Sequence, residues 1–265
     1  AKASRSRDLV LEAAALSRLR SCEGFPRLVG LFRDGDAEVL VMGRLSRDLE
    51  SLRLDPDVCP SGRFSPKTTV EVGTQVIRRL QTMHERGVVH CDVKPKNMMI
   101  GPRSPGIIHL VDFGLCRPYR VSGLRASTPA NGHTVGTTRF CAIPAHSGER
   151  SPRSDLESLA YVLIYIAAGG LPWQGCEGSS KRERSRRMFE RKLEAGLLEQ
   201  FVHEQLAGEP AGESYAVALA GLAAECRRLE EIAVPDYEGL AAILRGGLPP
   251  GVELPDPAPL DWLTA

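Results

Sequence analysis

The residues His90-Cys91-Asp92-Val93-Lys94-Pro95-Lys96-Asn97 concentrate the polar chemistry of this chain. Asp92 can accept a hydrogen bond from a hydroxyl group and take its proton. Lys94 can offset charge on a phosphoryl group in transit, and Asn97 can point its amide oxygen at a magnesium ion. Downstream, Val111-Asp112-Phe113-Gly114 supplies a second oxygen ligand, Asp112, for the same metal. One such motif is weak evidence. Two, in this order and at this separation, point to phosphoryl transfer. An ordinary polar turn before a strand would account for Asp92, Lys94 and Asn97, but not for Asp112 as well. His90 reads as a residue that holds the loop by hydrogen bonds, and Phe113 as a packing residue that orients Asp112.

Elements on both sides must position these groups. Leu9, Leu11, Ala13, Leu16 and Leu19 mark an amphipathic helix around Glu12, ended by Gly24 and Pro26. Strand-like runs over 27–32 and 38–42 flank a polar turn, Asp34-Gly35-Asp36. Turn residues fill 56–66. A helical pattern then runs over 68–86, with Val72, Val76, Leu80 and Met83 on one face. Short strands are expected at 98–100 and 107–111. Residues 115–150 have no clear period, and an irregular stretch of that length inside a compact domain is usually functional. Helical patterns return over 155–168, 181–195, 213–229 and 237–244. The Gly- and Pro-rich tail from Gly246 is expected to lie extended on the surface. The pattern predicts an α+β chain, with a small strand-containing lobe, a larger helical lobe, and the chemistry at their junction.

Composition narrows the class further. With 265 residues, 42% of them hydrophobic, the chain can bury a substantial core. Its 34 basic and 33 acidic residues give no global case for binding nucleic acid or a membrane surface. No apolar run is long enough to span a bilayer, and no secretory signal is visible at the start. The most apolar stretch, 159–168, fits a buried helix. The seven cysteines are scattered, odd in number and without a C-x-x-C pair. They suit a reducing compartment better than a disulfide framework or a zinc site.

Taken together, these residues resemble the casein kinase 1 family of protein serine/threonine kinases. Beyond the two loops, Gly136-Thr137-Thr138-Arg139-Phe140 resembles that family's G-T-A-R-Y segment. Ser154-Asp155-Leu156-Glu157-Ser158-Leu159 resembles its D-D-L-E-S-L, and Leu171-Pro172-Trp173-Gln174-Gly175 its L-P-W-Q-G. Cys226-Arg227 followed by Pro235-Asp236-Tyr237 keeps the family's C-R…P-D-Y spacing, and Ala142-Ile143-Pro144 stands where other kinases carry A-P-E. The resemblance implies a bilobal protein kinase-like fold with a reduced N-terminal β lobe (residues 1–45), a mainly helical C-terminal lobe (46–245) and a tail (246–265). It implies transfer of the γ-phosphoryl group of ATP, with Mg2+, to serine or threonine.

The resemblance also assigns residues. Asp92, Lys94 and Thr137 become catalytic, with Thr137 expected to bond Asp92 and Lys94. Asn97 and Asp112 hold the metal, and Lys94 favours serine or threonine over tyrosine acceptors. Adenine would bond the backbone of Met42, Gly43, Arg44 and Leu45. Arg139, Gly175 and Arg184 match positions that bind an anion, so the expected partners are proteins or peptides with acidic or phosphorylated residues near the acceptor. Arg184 lies in the run Lys181–Arg187, which also reads as a solvated helix face or a nuclear-localisation signal. Trp173 reads as a core anchor, Cys116 as a buried, inert thiol, and Asp155 as an architectural carboxylate bonding the catalytic loop. A monomer in the cytoplasm or nucleus is expected.

Two departures qualify the resemblance. No glycine-rich phosphate loop precedes these residues, and Ala1-Lys2 would end the strand that carries the nucleotide-binding lysine. Lys2 would then contact the α- and β-phosphates, with Glu12 as its helix partner. A kinase shortened in this way is expected to hold the phosphates poorly, which makes a scaffolding pseudokinase the rival reading. Cys91 stands in place of the H-R-D arginine that commonly pairs with a phosphorylated activation loop, so independence from such phosphorylation is expected. A small-molecule kinase of related fold is opposed by Gly136–Phe140 and by the L-P-W-Q-G run.

Overall fold

The structure, a computed structural model, describes residues 2–4, 7–35, 37–119, 134–208, 212–231, 233–249 and 260–264, with side chains from Leu9 onward. Turn residue Asp36 and much of the irregular 115–150 stretch, at 120–133, lie outside the described residues.

The chain starts with a small antiparallel sheet. Strand β1 (Lys2–Ser4) pairs with β3 (Ala37–Met42), with Lys2 opposite Leu40, and β3 pairs with β2 (Leu28–Asp34), giving the order β1-β3-β2. Helix α1 (Arg7–Arg18) packs on this sheet and on the short 3-10 turn Phe113–Leu115. Its buried face, Leu9 and Leu16 with Ala15, follows the seven-residue spacing of one helix side. Glu12 is buried too, at 1% exposure.

A five-residue helix, α2 (Leu49–Arg53), follows, capped by the Asp48 carboxylate, which accepts from Ser51 N. The long helix α3 (Pro66–Glu85) starts with Ser65 accepting from Thr68 N and with Pro66 in the first turn, where its missing N–H costs nothing. Helix α4 (Pro152–Ala168) is buried on nearly every side, as its apolar composition predicts, and forms the centre of the helical lobe. Helix α5 (Lys181–Leu193) packs on α6 (Leu197–Leu206), α6 and α7 (Gly212–Arg228) pack on α4 and on each other, and α8 (Tyr237–Arg245) packs on α3 and α7. No helix among the described residues is long and apolar enough to cross a membrane.

The tail differs from the extended segment expected. Residues 250–259 lie outside the described residues, but Leu260 is buried and a last turn, α9 (Asp261–Thr264), docks on the start of α3. The Asp261 carboxylate accepts from Ser65 N at 2.8 Å and from Ser65 Oγ at 2.7 Å, and the Trp262 ring meets Phe64 at 5.5 Å.

Two short ladders position the chemistry. Strand β4 (Val88–Val89) pairs with β7 (Arg117–Pro118), and β5 (Met98–Ile100) pairs with β6 (Ile108–Leu110). Residues 90–97 therefore run from β4 to β5, and residues 111–116 from β6 to β7. Each loop is held at both ends by strands paired with those of the other.

Candidate active site

The backbone of the first loop is fixed from below by Asp155, near the start of α4. This buried carboxylate accepts from His90 N at 2.7 Å, from Cys91 N at 2.8 Å and from His84 Nε2 at 2.9 Å. Tyr237 OH bonds the other ring nitrogen of His84 at 2.8 Å. The architectural role expected of Asp155 has this physical content: charge-assisted bonds hold a strained turn, in which Cys91 adopts a left-handed φ of 66°. His90 is fully buried; its Nδ1 accepts from Asp92 N at 3.3 Å, which leaves Nε2 to donate to the Val111 carbonyl at 3.2 Å.

Asp92 receives donors on both oxygens. Thr137 N and Thr137 Oγ1 donate to Oδ1, each at 2.8 Å, while Lys94 Nζ and Asn97 Nδ2 donate to Oδ2 at 2.5 and 3.3 Å. Asn97 Nδ2 also donates to the Asp92 carbonyl at 2.9 Å. These bonds use up the amide nitrogen of Asn97 and leave its oxygen without a hydrogen-bond partner among the described residues. No hydrogen bond joins Thr137 to Lys94, so the expected pair of Thr137 bonds goes entirely to Asp92.

Val111 N donates to the Asn97 carbonyl at 3.0 Å, which sets Asp112 beside the first loop. Asp112 itself is left-handed, with φ 64° and ψ 73°, at the start of the Phe113–Leu115 turn. Phe113 is fully buried, its ring 5.4 Å from His90 and 6.3 Å from Phe25, so packing defines the direction in which the chain leaves Asp112. Two neutral or anionic oxygen donors, with no nitrogen or sulfur among them, fit a hard cation such as Mg2+.

Gly136 brings the second half of the site onto the first. Its φ is 81°, and a Cβ built there would lie 2.5 Å from the Cys91 carbonyl and 3.4 Å from Asp92 Oδ1. Only glycine fits that approach.

The cysteines near the site are not poised to react. Burial pushes the Cys116 thiol up to about 12, and burial followed by the Asp155 charge pushes Cys91 well above its ordinary range. Cys91 shares a small cavity with Arg150, whose Nε is buried without a hydrogen-bond partner among the described residues.

The remaining candidates are spread around this centre. Lys2 lies on β1, its side chain outside the described residues, and Glu12 is buried on α1. Met42 ends β3. Gly43 N is spent on the Arg27 carbonyl at 2.8 Å, whereas Leu45 N has no partner among the described residues. The Arg139 guanidinium lies over the rings of Phe140 and Tyr165 at 5.8 and 5.7 Å and has no carboxylate partner among the described residues. Arg184 is exposed and donates to the Gly178 carbonyl at 3.1 Å. Gly175 adopts φ 76° with open space around it. No hydrogen bond joins Arg139, Gly175 and Arg184 to one another. Trp173 is fully buried and donates from Nε1 to the Arg139 carbonyl at 2.8 Å, as a core anchor that also fixes the turn.

Sequence reasoning missed Gly136 as a steric requirement, His84 and Tyr237 as supports of Asp155, and Lys192, which bonds the Thr138 and Cys141 carbonyls. The C-R…P-D-Y spacing touched Tyr237. Nothing marked Lys192, because it closes a basic run that looks solvated.

A family model of the protein kinase domain matches residues 1–213 of this chain. The chain belongs to the protein kinase domain family. Its small β lobe, its mainly helical lobe and the two loops at their junction are the parts of that fold.

Proposed function

We propose that this chain is a serine/threonine protein kinase of casein kinase 1-like type, which transfers the γ-phosphoryl group of ATP to acidic or phosphate-primed protein substrates. The observation that carries the reading is the Asp92 carboxylate, oriented by Thr137 on one oxygen and by Lys94 and Asn97 on the other. Asp92 orients the acceptor hydroxyl and takes its proton as the oxygen–phosphorus bond forms. Lys94 offsets charge on the equatorial oxygens of the moving group. Asn97 and Asp112 would hold Mg2+, which supplies charge neutralisation on the ATP phosphates. Leu45 N, without a partner among the described residues, would bond adenine, and Lys2 with Glu12 would serve the α- and β-phosphates. The GTARY-like turn, the LPWQG-like run and the guanidinium of Arg139, which has no carboxylate partner among the described residues, support the family type and the anionic substrate class.

The test is transfer of label from γ-labelled ATP to casein and to an acidic serine peptide, with and without Mg2+. Mg2+-dependent label on serine or threonine is the expected result. Nucleotide binding without transfer to either substrate would overturn the reading and leave a binding or scaffolding role.

A further inference from the structure

Burying an ammonium group costs several kcal/mol unless other bonds replace its hydration. Lys192 on α5 is 1% exposed, and no carboxylate lies within ion-pair distance of it among the described residues. Its donors go instead to the Thr138 carbonyl at 2.8 Å, the Cys141 carbonyl at 2.7 Å and His146 Nε2 at 3.2 Å. The rings of Tyr161 and Trp173 flank Nζ at 5.4 and 5.2 Å. The three N–H donors thus have these three acceptors, with His146 neutral, and the Cys141 Sγ as a further, weaker one at 3.8 Å.

Both carbonyls belong to the turn that carries Arg139. Within that turn, Phe140 N and Cys141 N donate to the Thr137 carbonyl at 2.8 and 2.9 Å. Thr137 N reaches Asp92, and Ile143 N donates to Glu157 Oε1 at 2.9 Å. A short backbone segment is therefore clamped residue by residue, and Lys192 is the one buried ammonium in the clamp among the described residues.

We propose that Lys192 is the positioning residue of this turn: its ammonium pins the Thr138 and Cys141 carbonyls, and so sets where Thr137 meets Asp92 and how Arg139 faces an incoming peptide. The proposal rests on the kinase reading for its functional half. The groups facing Lys192 are Cys141 and His146 on the segment, Glu157 and Tyr161 on α4, and Arg227 on α7. Burial pulls the Lys192 ammonium down to about 8, against the opposing pull of Cys141 and Glu157. Below pH 8 the group keeps its charge and three donors. Above it, the charge and one donor are lost, and the turn loosens.

The test combines hydrogen–deuterium exchange with steady-state kinetics on the 265-residue chain and its Lys192→Met variant. In the variant, the amides of Phe140 and Cys141 should exchange at least tenfold faster while those of α3 and α7 keep their rates. Peptide KM should rise about tenfold, with ATP KM level. Unchanged exchange in the turn, or equal acceleration in α3 and α7, would reduce Lys192 to an ordinary core residue. If the variant does not fold, the wild type decides: exchange at Phe140 and Cys141, corrected for the intrinsic rate, should speed up above pH 8, and a flat profile to pH 9.5 overturns the proposal. A wild type that transfers no phosphate sinks the kinase reading, while the exchange data still decide the clamp.

Discussion

Thr137 holds Asp92 twice through a single oxygen: its backbone N–H and its hydroxyl both donate to Oδ1 at 2.8 Å. The catalytic loop is thereby tied to a segment 45 residues downstream, and the carboxylate direction depends on both. Thr137→Val keeps the shape and the backbone bond but removes the hydroxyl donor. A hydrogen bond to a charged group contributes about 1.5–3 kcal/mol. If that stabilisation bears on the transition state, kcat should fall roughly 10- to 150-fold, at about 1.36 kcal/mol per factor of ten. Thr137→Ser should keep most of the rate. Initial rates of peptide phosphorylation for the two variants check this, and equal rates for valine and serine would remove the hydroxyl from the account.

The two loops were legible in the sequence because their residue types are dictated by chemistry, and so were the long helices, whose apolar periods survive in α1, α3, α4 and α7. The pairing that holds the loops was not. Strands β4 and β7 are two residues each, too short to carry a period, and α2 is a five-residue helix recognisable mainly from its Asp48 cap. Helix α6 was missed although Leu198, Val202 and Leu206 keep a four-residue spacing, because Gly196 and the preceding charged run mask its start. Tertiary facts were invisible in principle. Nothing in the local sequence says that Asp261 caps the start of α3, or that Lys192 turns inward while Arg186, Arg187 and Arg191 on the same helix pair with glutamates at the surface.

Arg139 and Arg184 lead to a prediction about substrate choice. Their double replacement by alanine should raise KM for a peptide primed with phosphate a few residues before the acceptor, and barely change it for a neutral peptide. The preference of the wild type should shrink with added salt, because the site is open to solvent. The measurement is a peptide pair differing only in the priming phosphate. Equal loss on both peptides would assign the arginines a folding role, with Arg139 supporting the rings of Phe140 and Tyr165.

His146 gives a pH prediction with a definite sign. Burial, then the Lys192 charge, holds its imidazole down at about 3, against an ordinary value of 6.5. The unfolded chain takes up this proton near pH 6.5 and the folded chain does not, so the unfolded state gains protons as pH falls through that window. Stability should therefore decline from pH 6.5 toward 3, at up to about 1.36 kcal/mol per unit. His146→Gln keeps an acceptor for Lys192 and removes the titration. Urea unfolding at pH 7 and pH 5 should show the wild type losing up to about 2 kcal/mol more than the variant; an identical loss in both would contradict the assignment.

Everything in the functional reading depends on Asp92 acting as the proton acceptor. Asp92→Asn keeps the size and the two Thr137 bonds to one oxygen, while removing the charge and the acceptor for Lys94 and Asn97. The direct measurement is the single-turnover rate of phosphate transfer from ATP to peptide for wild type and Asp92→Asn, with nucleotide affinity and thermal unfolding followed in parallel. The account predicts a rate lower by about two to four orders of magnitude, with ATP affinity within about twofold of the wild type and folding intact. An Asp92→Asn chain that transfers phosphate at the wild-type rate would contradict it.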